Sequence, residues 1–182
     1  MKKAFTMIEL IFVIVILGIL AAIAIPKFLG VANQAHEANL KSFVGALNRT
    51  VGPTLWSEAI SEGEDGNISY LDLVYDKANS NDQNLSKYIS VPKEIEYMDL
   101  SKCDDPSRYK IVGYADKTVT GQNYFIACRD GNNVEAPDFA LVKQTFPLNQ
   151  LTSKNLGDYN IASINTNPVK FNGGEKGPVL LK

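Results

Sequence analysis

The sequence predicts an α+β protein in which a long N-terminal membrane-spanning helix packs against an antiparallel-sheet head. Three observations predict it. The stretch from Phe5 to Ile25 is apolar with one charge, Glu9, which is long enough to cross a hydrocarbon core of about 30 Å as a helix. From Phe28 to Val51 the apolar residues recur at helical spacing. Farther on, Tyr109–Tyr114, Tyr124–Arg129 and Phe139–Thr145 are strand-like runs separated by turn residues such as Asp130-Gly131-Asn132-Asn133.

The length of 182 residues suits one domain with an additional element. With 18 basic residues against 20 acidic ones and a formal charge of -2, the chain lacks the basic surface that phosphate backbones require, so nucleic acid is not supported as a partner. Lys143, Lys154, Lys170 and Lys176 are scattered among acids rather than gathered.

Met1-Lys2-Lys3 is a short basic start that should stay on the cytoplasmic side. Three readings of the hydrophobic segment follow. A secretory signal would be cut near Leu20-Ala21-Ala22-Ile23-Ala24 and discarded. A plain anchor would keep the whole segment. The third is prompted by Glu9, because a carboxylate within a hydrophobic segment costs a few kcal/mol and is retained where it has a function.

The residues KKAFTMIELIFVIVILGILAAIAIPKF resemble the N-terminus of type IV pilins and type II secretion pseudopilins, over Lys2 to about Phe28. The resemblance implies cleavage by a prepilin peptidase between Ala4 and Phe5, so that residues 1–4 are a leader and Phe5 becomes the N-methylated first residue. Ala4 stands where glycine is usual in the family, and is likewise small. Glu9 takes the family's acidic position and Pro26 its helix-loosening proline, both serving subunit assembly. The resemblance further implies a structural subunit of a type IV pilus or secretion pseudopilus, with a helix over residues 5–51 and a head over 52–182. Its partners would be further copies, other pilins, the peptidase, an inner-membrane assembly platform and membrane lipid. The precursor and subunit pool would sit in the bacterial inner membrane with the head outside the cytoplasm, before assembly into a pilus or periplasmic pseudopilus. The alternative is a membrane-tethered or secreted binding protein that uses the segment only for targeting. On either reading no enzyme activity, catalytic residue, cofactor or metal is expected.

Glu9 has a physical task on the filament reading. Cleavage would create an amine at Phe5, and a carboxylate one turn inside a neighbouring helix could pair with it. Desolvation offsets much of that attraction, so the pair would act chiefly on the axial register between subunits.

Beyond Pro26 the positions Phe28, Val31, Ala32, Ala35 and Ala38, then Leu40, Phe43, Val44, Leu47 and Val51, form an amphipathic continuation. Pro26, Gly18 and Gly30 are weak points in it. A helix over 5–51 would extend about 70 Å at about 1.5 Å per residue, so half of it lies beyond the lipid. Gly52-Pro53 is expected to end it, with Leu55, Trp56, Ala59 and Ile60 forming one more short stretch. Ser61–Ser90, rich in Asn, Asp, Ser and Gly, is expected to be mostly exposed loop. The first two strand-like runs pattern as a hairpin. From Leu148 onward no assignment is made.

Cys103 and Cys128 have no CxxC spacing and no third or fourth thiolate, so one disulfide is the economical reading, provided the head reaches an oxidising compartment. His36, the single histidine, is assigned to a solvated or subunit-contact role, and Trp56 to packing. Asp130-Gly131-Asn132 lacks EF-hand spacing and reads as a hairpin turn. Asn67-Ile68-Ser69 and Asn84-Leu85-Ser86 are candidate N-glycan acceptors, each with an aspartate two residues upstream, Asp65 and Asp82. This resembles the extended acceptor of bacterial N-glycosylation. A third acceptor, Asn48-Arg49-Thr50, lacks the acid.

Overall fold

The computed structural model describes residues 6–144 and two short strands, Asn160–Ile161 and Val179–Leu181. The chain divides into two compact units, Met1–Ala35 and His36–Lys182. Helix α1 (Met7–Ala46) carries Pro26 inside it without ending there.

In the second unit the helix does not stop at Gly52-Pro53, contrary to the local rule. Residues Leu47–Val51 form a π turn in which the Gly52 N–H donates to Leu47 O, five residues back, and α2 (Gly52–Glu62) follows directly with Pro53 in its first turn. The wider turn explains the continuity. A proline lacks the donor and crowds the carbonyl four residues earlier, and a π turn relieves both demands. The Thr50 and Thr54 hydroxyls donate to Ala46 O and Thr50 O, each at 2.7 Å, which satisfies carbonyls around the irregularity. Gly52 is also the point of closest approach, since a Cβ there would lie 2.9 Å from Leu47 O and 3.3 Å from the Phe139 ring. The helix ends at Gly63, whose φ of 84° lets its N–H turn back to Ala59 O and Ile60 O.

The sheet is antiparallel throughout. Its strands are β1 (Val74–Asp76), β2 (Ile95–Asp99), β3 (Tyr109–Ala115), β4 (Asn123–Arg129), β5 (Asp138–Gln144), β6 (Asn160–Ile161) and β7 (Val179–Leu181). Their order is β1-β2-β3-β4-β5-β7, with β6 beside β3. The β3–β4 hairpin expected from sequence is present, with its register shifting between Ile111 and Gly113. A single turn of helix, α3 (Lys117–Thr120), fills its connection and is capped by the Asp116 carboxylate on Thr118 N at 2.8 Å.

The core forms where one stripe of the helix meets one face of this sheet. Leu40, Phe43, Val44, Leu47, Val51 and Leu55 follow the helical period, while Tyr124, Ile126 and Cys128 alternate along β4 and meet Phe139 and Leu141 of β5. Cys103 and Cys128, both buried, are joined as a disulfide with their Cα atoms 5.5 Å apart. It fastens the segment before β3 to the end of β4.

Two expectations need correction. Ser61–Ser90 is more than exposed loop: it contains β1, and Ile68, Leu73 and Leu85 are fully or almost fully buried anchors among exposed polar residues. His36 is not free in solvent, because its ring engages Glu94 at 2.8 Å. Asp130 begins the β4–β5 connection, as a turn residue should, but it is buried and accepts from Ile68 N at 3.0 Å and Gly131 N at 2.8 Å. Trp56 packs here too, donating from Nε1 to Asn132 O at 2.7 Å.

Candidate functional site

The N-terminal unit begins with a reciprocal cap. Thr6 donates from its backbone N at 2.9 Å and from its hydroxyl at 2.8 Å to Glu9 Oε2, while Glu9 N–H donates back to Thr6 Oγ1 at 3.4 Å. This is a capping box: the threonine and the glutamate three residues on satisfy donors that a helix start otherwise leaves open. The carboxylate at the acidic position therefore has partners within its own chain. Ala4 and Phe5 lie outside the described residues.

Past the cap, Ile11, Phe12, Val13, Ile14, Val15, Ile16 and Leu17 are exposed in unbroken succession. Successive residues step about 100° around a helix, so apolar surface encircles it. A helix that is apolar all round belongs in lipid or in a bundle. It is the one helix among the described residues long and apolar enough to cross a membrane. Pro26 falls within it and leaves the carbonyl of Ala22 without its usual donor.

Residues 1–25 match the family model described as the prokaryotic N-terminal methylation motif. This N-terminus carries the methylation motif. The chain is also 51% identical over 45 residues to the Type IV narrow pilus major component PilA5 of Thermus thermophilus. That alignment covers 25% of this chain and 39% of the relative, so the chain spans about two fifths of the length of the curated relative it matches. No solved structure matches the chain.

Behind this N-terminus, polar contacts within the second unit join the end of α1 to the sheet side of the head. The His36 ring donates from Nδ1 to Glu94 Oε1, and Asn39 Nδ2 donates to the same oxygen at 3.1 Å. Burial pushes the Glu94 carboxyl up, but the hydrogen bonds from His36 and Asn39 outweigh it and hold the group below its ordinary value. One residue along, Glu37 accepts from the Tyr124 hydroxyl at 2.9 Å and lies 3.5 Å from Lys143 and 3.2 Å from Lys41. Burial, then the Glu37 acceptor, raises the Tyr124 phenol well above its usual range.

The three acceptor asparagines are placed differently. Asn48 exchanges both amide atoms with the Phe139 backbone, donating at 2.8 Å and accepting at 2.7 Å. Asn84 donates to Asp72 O at 2.9 Å and accepts from Val74 N. Asn67 accepts from Ser69 N at 2.8 Å and from its hydroxyl at 2.7 Å.

Sequence reasoning singled out Glu9 and Pro26 but passed over Thr6, although Thr6-Met7-Ile8-Glu9 has capping-box spacing and could have been read as one. It had no means of finding the His36–Glu94 contact, whose partners are 58 residues apart.

Proposed function

We propose that this chain is a structural subunit of a type IV pilus, made as a precursor and assembled through its N-terminal helix. The observation that carries this is the encircling apolar surface of the N-terminal helix headed by one capped carboxylate, in a segment that matches the N-terminal methylation motif. A prepilin peptidase removes residues 1–4 at the Ala4–Phe5 bond, and Phe5 is then methylated. The mature subunit waits in the inner membrane with its head on the far side from the cytoplasm. At the assembly platform it joins other pilin subunits, and the helices bundle beneath a surface of heads.

On this reading Glu9 changes partners. In the single subunit Thr6 satisfies it, so the carboxylate can wait in the membrane at reduced cost. On assembly the Phe5 amine of a neighbour offers a charged partner in a site of low dielectric, which sets the stagger of the two helices.

The test is the mature N-terminus together with the filament yield. Purified subunit should begin at methylated Phe5, and a chain starting at Ile25 would replace this proposal with an ordinary secreted protein. Glu9→Ala should leave subunit in the membrane pool while depleting sheared filaments. Unchanged filament yield from the variant alone would remove the pairing role.

A further inference from the structure

Of the three acceptor motifs in the head, the structure separates one from the others. Attachment of a glycan to asparagine uses the amide nitrogen, so that atom must be available. In Asn48 and Asn84 the nitrogen holds a backbone carbonyl that links two parts of the fold, Phe139 O in one case and Asp72 O in the other. Among the described residues nothing accepts from Asn67 Nδ2, and its carbonyl oxygen alone is engaged, by Ser69. The Ser69 hydroxyl that the acceptor motif calls for donates to that carbonyl oxygen and leaves the nitrogen untouched.

The upstream acids divide in the same way. Asp82 Oδ2 accepts from Asn79 Nδ2 at 2.7 Å, within its own loop. Asp65 is exposed at a positive φ of 51°, and its carboxylate has no hydrogen bond or ion pair among the described residues. Among the described residues the amide nitrogen and the upstream acid are thus both uncommitted at Asn67, and both are committed at Asn84.

We infer that Asn67 is the N-glycan acceptor of this head and that Asn84 and Asn48 are not modified. The donor is a lipid-pyrophosphate-linked oligosaccharide. A bond forms between Asn67 Nδ2 and the anomeric carbon, and the bond from that carbon to the pyrophosphate oxygen breaks with its electron pair leaving on the phosphate. One amide proton passes to a base of the transferase. The inference rests on export of the head, as proposed above.

Intact-mass spectrometry of the protein from the cells that make it reads both questions in one spectrum. Loss of residues 1–4 reports processing, and a separate glycan-sized addition reports modification. The addition should vanish in Asn67→Gln and in Ser69→Ala, return in Ser69→Thr, and persist in Asn84→Gln and Asn48→Gln. A mature chain with no addition would overturn the inference while leaving the filament proposal standing. An addition that survives Asn67→Gln, or one lost in Asn84→Gln, would equally overturn it.

Discussion

Leu10 and Leu17 are 56% and 57% exposed, whereas Leu40, Leu47 and Leu55 are at 0%. All but Leu55 lie in or next to one helix, but every residue from Leu10 to Leu17 is apolar, whereas Leu40–Leu55 mixes apolar residues with polar ones. What differs is the spacing of the polar residues between them. From Ile11 to Leu17 no residue interrupts the apolar surface, so no single face can be set against a core. From Leu40 to Leu55 charged and polar positions such as Lys41, Ser42 and Arg49 leave one stripe, and a sheet face covers that stripe. The comparison teaches that composition sets the solvent a helix prefers, while periodicity sets whether it has one partner or a ring of them.

The strongest way to break the comparison is to make the same truncation on both sides. Leu47→Ala should lower head stability by about 3 kcal/mol, through lost transfer energy and the cavity left behind. Leu17→Ala should change it by less than about 0.5 kcal/mol, with its effect falling on filament yield. Denaturant titration of the detergent-solubilised chain, following Trp56, checks both. Equal losses would show that the N-terminal stretch is packed into the head's cooperative unit after all.

The next effect separates the units by redox state. Opening the Cys103–Cys128 bridge, whose residues are 25 apart in sequence, should cost about 3 kcal/mol in the chain-entropy account. Cys103→Ser with Cys128→Ser should lower the unfolding midpoint of the head and leave the helical signal of the membrane segment in place. Unaltered head stability in the doubly substituted chain would refute the role of the bridge as a staple.

A smaller effect follows pH. Burial pushes the Asp130 carboxyl up to about 6, with Asp104 and Asp105 adding to it against the hydrogen bonds from Ile68 and Gly131. The folded head then holds this proton more tightly than the unfolded chain, whose aspartate titrates near 3.9. Stability should accordingly rise as pH falls through about 6, by on the order of 2 kcal/mol, and level off near pH 4. The depressed carboxyl of Glu94 acts with the opposite sign and at lower pH, removing stability as it becomes protonated. Asp130→Asn should flatten the profile between pH 4 and 6, and a wild-type profile that is already flat would mean Asp130 is ordinary.

The smallest of these effects tests the close contact at the π turn. Gly52→Ala should destabilise the head by about 1 kcal/mol, even though alanine is the better helix former by a similar amount, because the new methyl meets Leu47 O and the Phe139 ring. A more stable variant would show that the helix has room to move off β5.

Much of the sheet was legible because strands with apolar faces carry their own pattern. β3, β4 and β5 begin and end within one residue of the runs read from sequence. β1 and β2 were not legible. Val74–Asp76 is three residues long, and Ile95-Glu96-Tyr97-Met98-Asp99 has acids within it, so each is a strand only through pairing with its neighbour. At the candidate site, Glu9 was conspicuous as a lone charge in an apolar run. Thr6 was overlooked since it is an ordinary residue until the cap is drawn.

By itself the sequence determined that Phe5–Ile25 is apolar on every side but for Glu9 and that the turns from Phe28 offer one apolar stripe, because both properties belong to consecutive residues on a helix of known period. It also determined the cystine partners, because two cysteines admit one pairing within the chain. Tertiary structure decided that Gly52-Pro53 continues the helix, since the π turn and the approach to Phe139 prevail over a local stop signal. It decided the partner of His36 and which acceptor asparagine keeps its nitrogen uncommitted among the described residues. Those outcomes depend on which backbone and side-chain groups arrive from distant positions, and strand register sets that rather than any local periodicity.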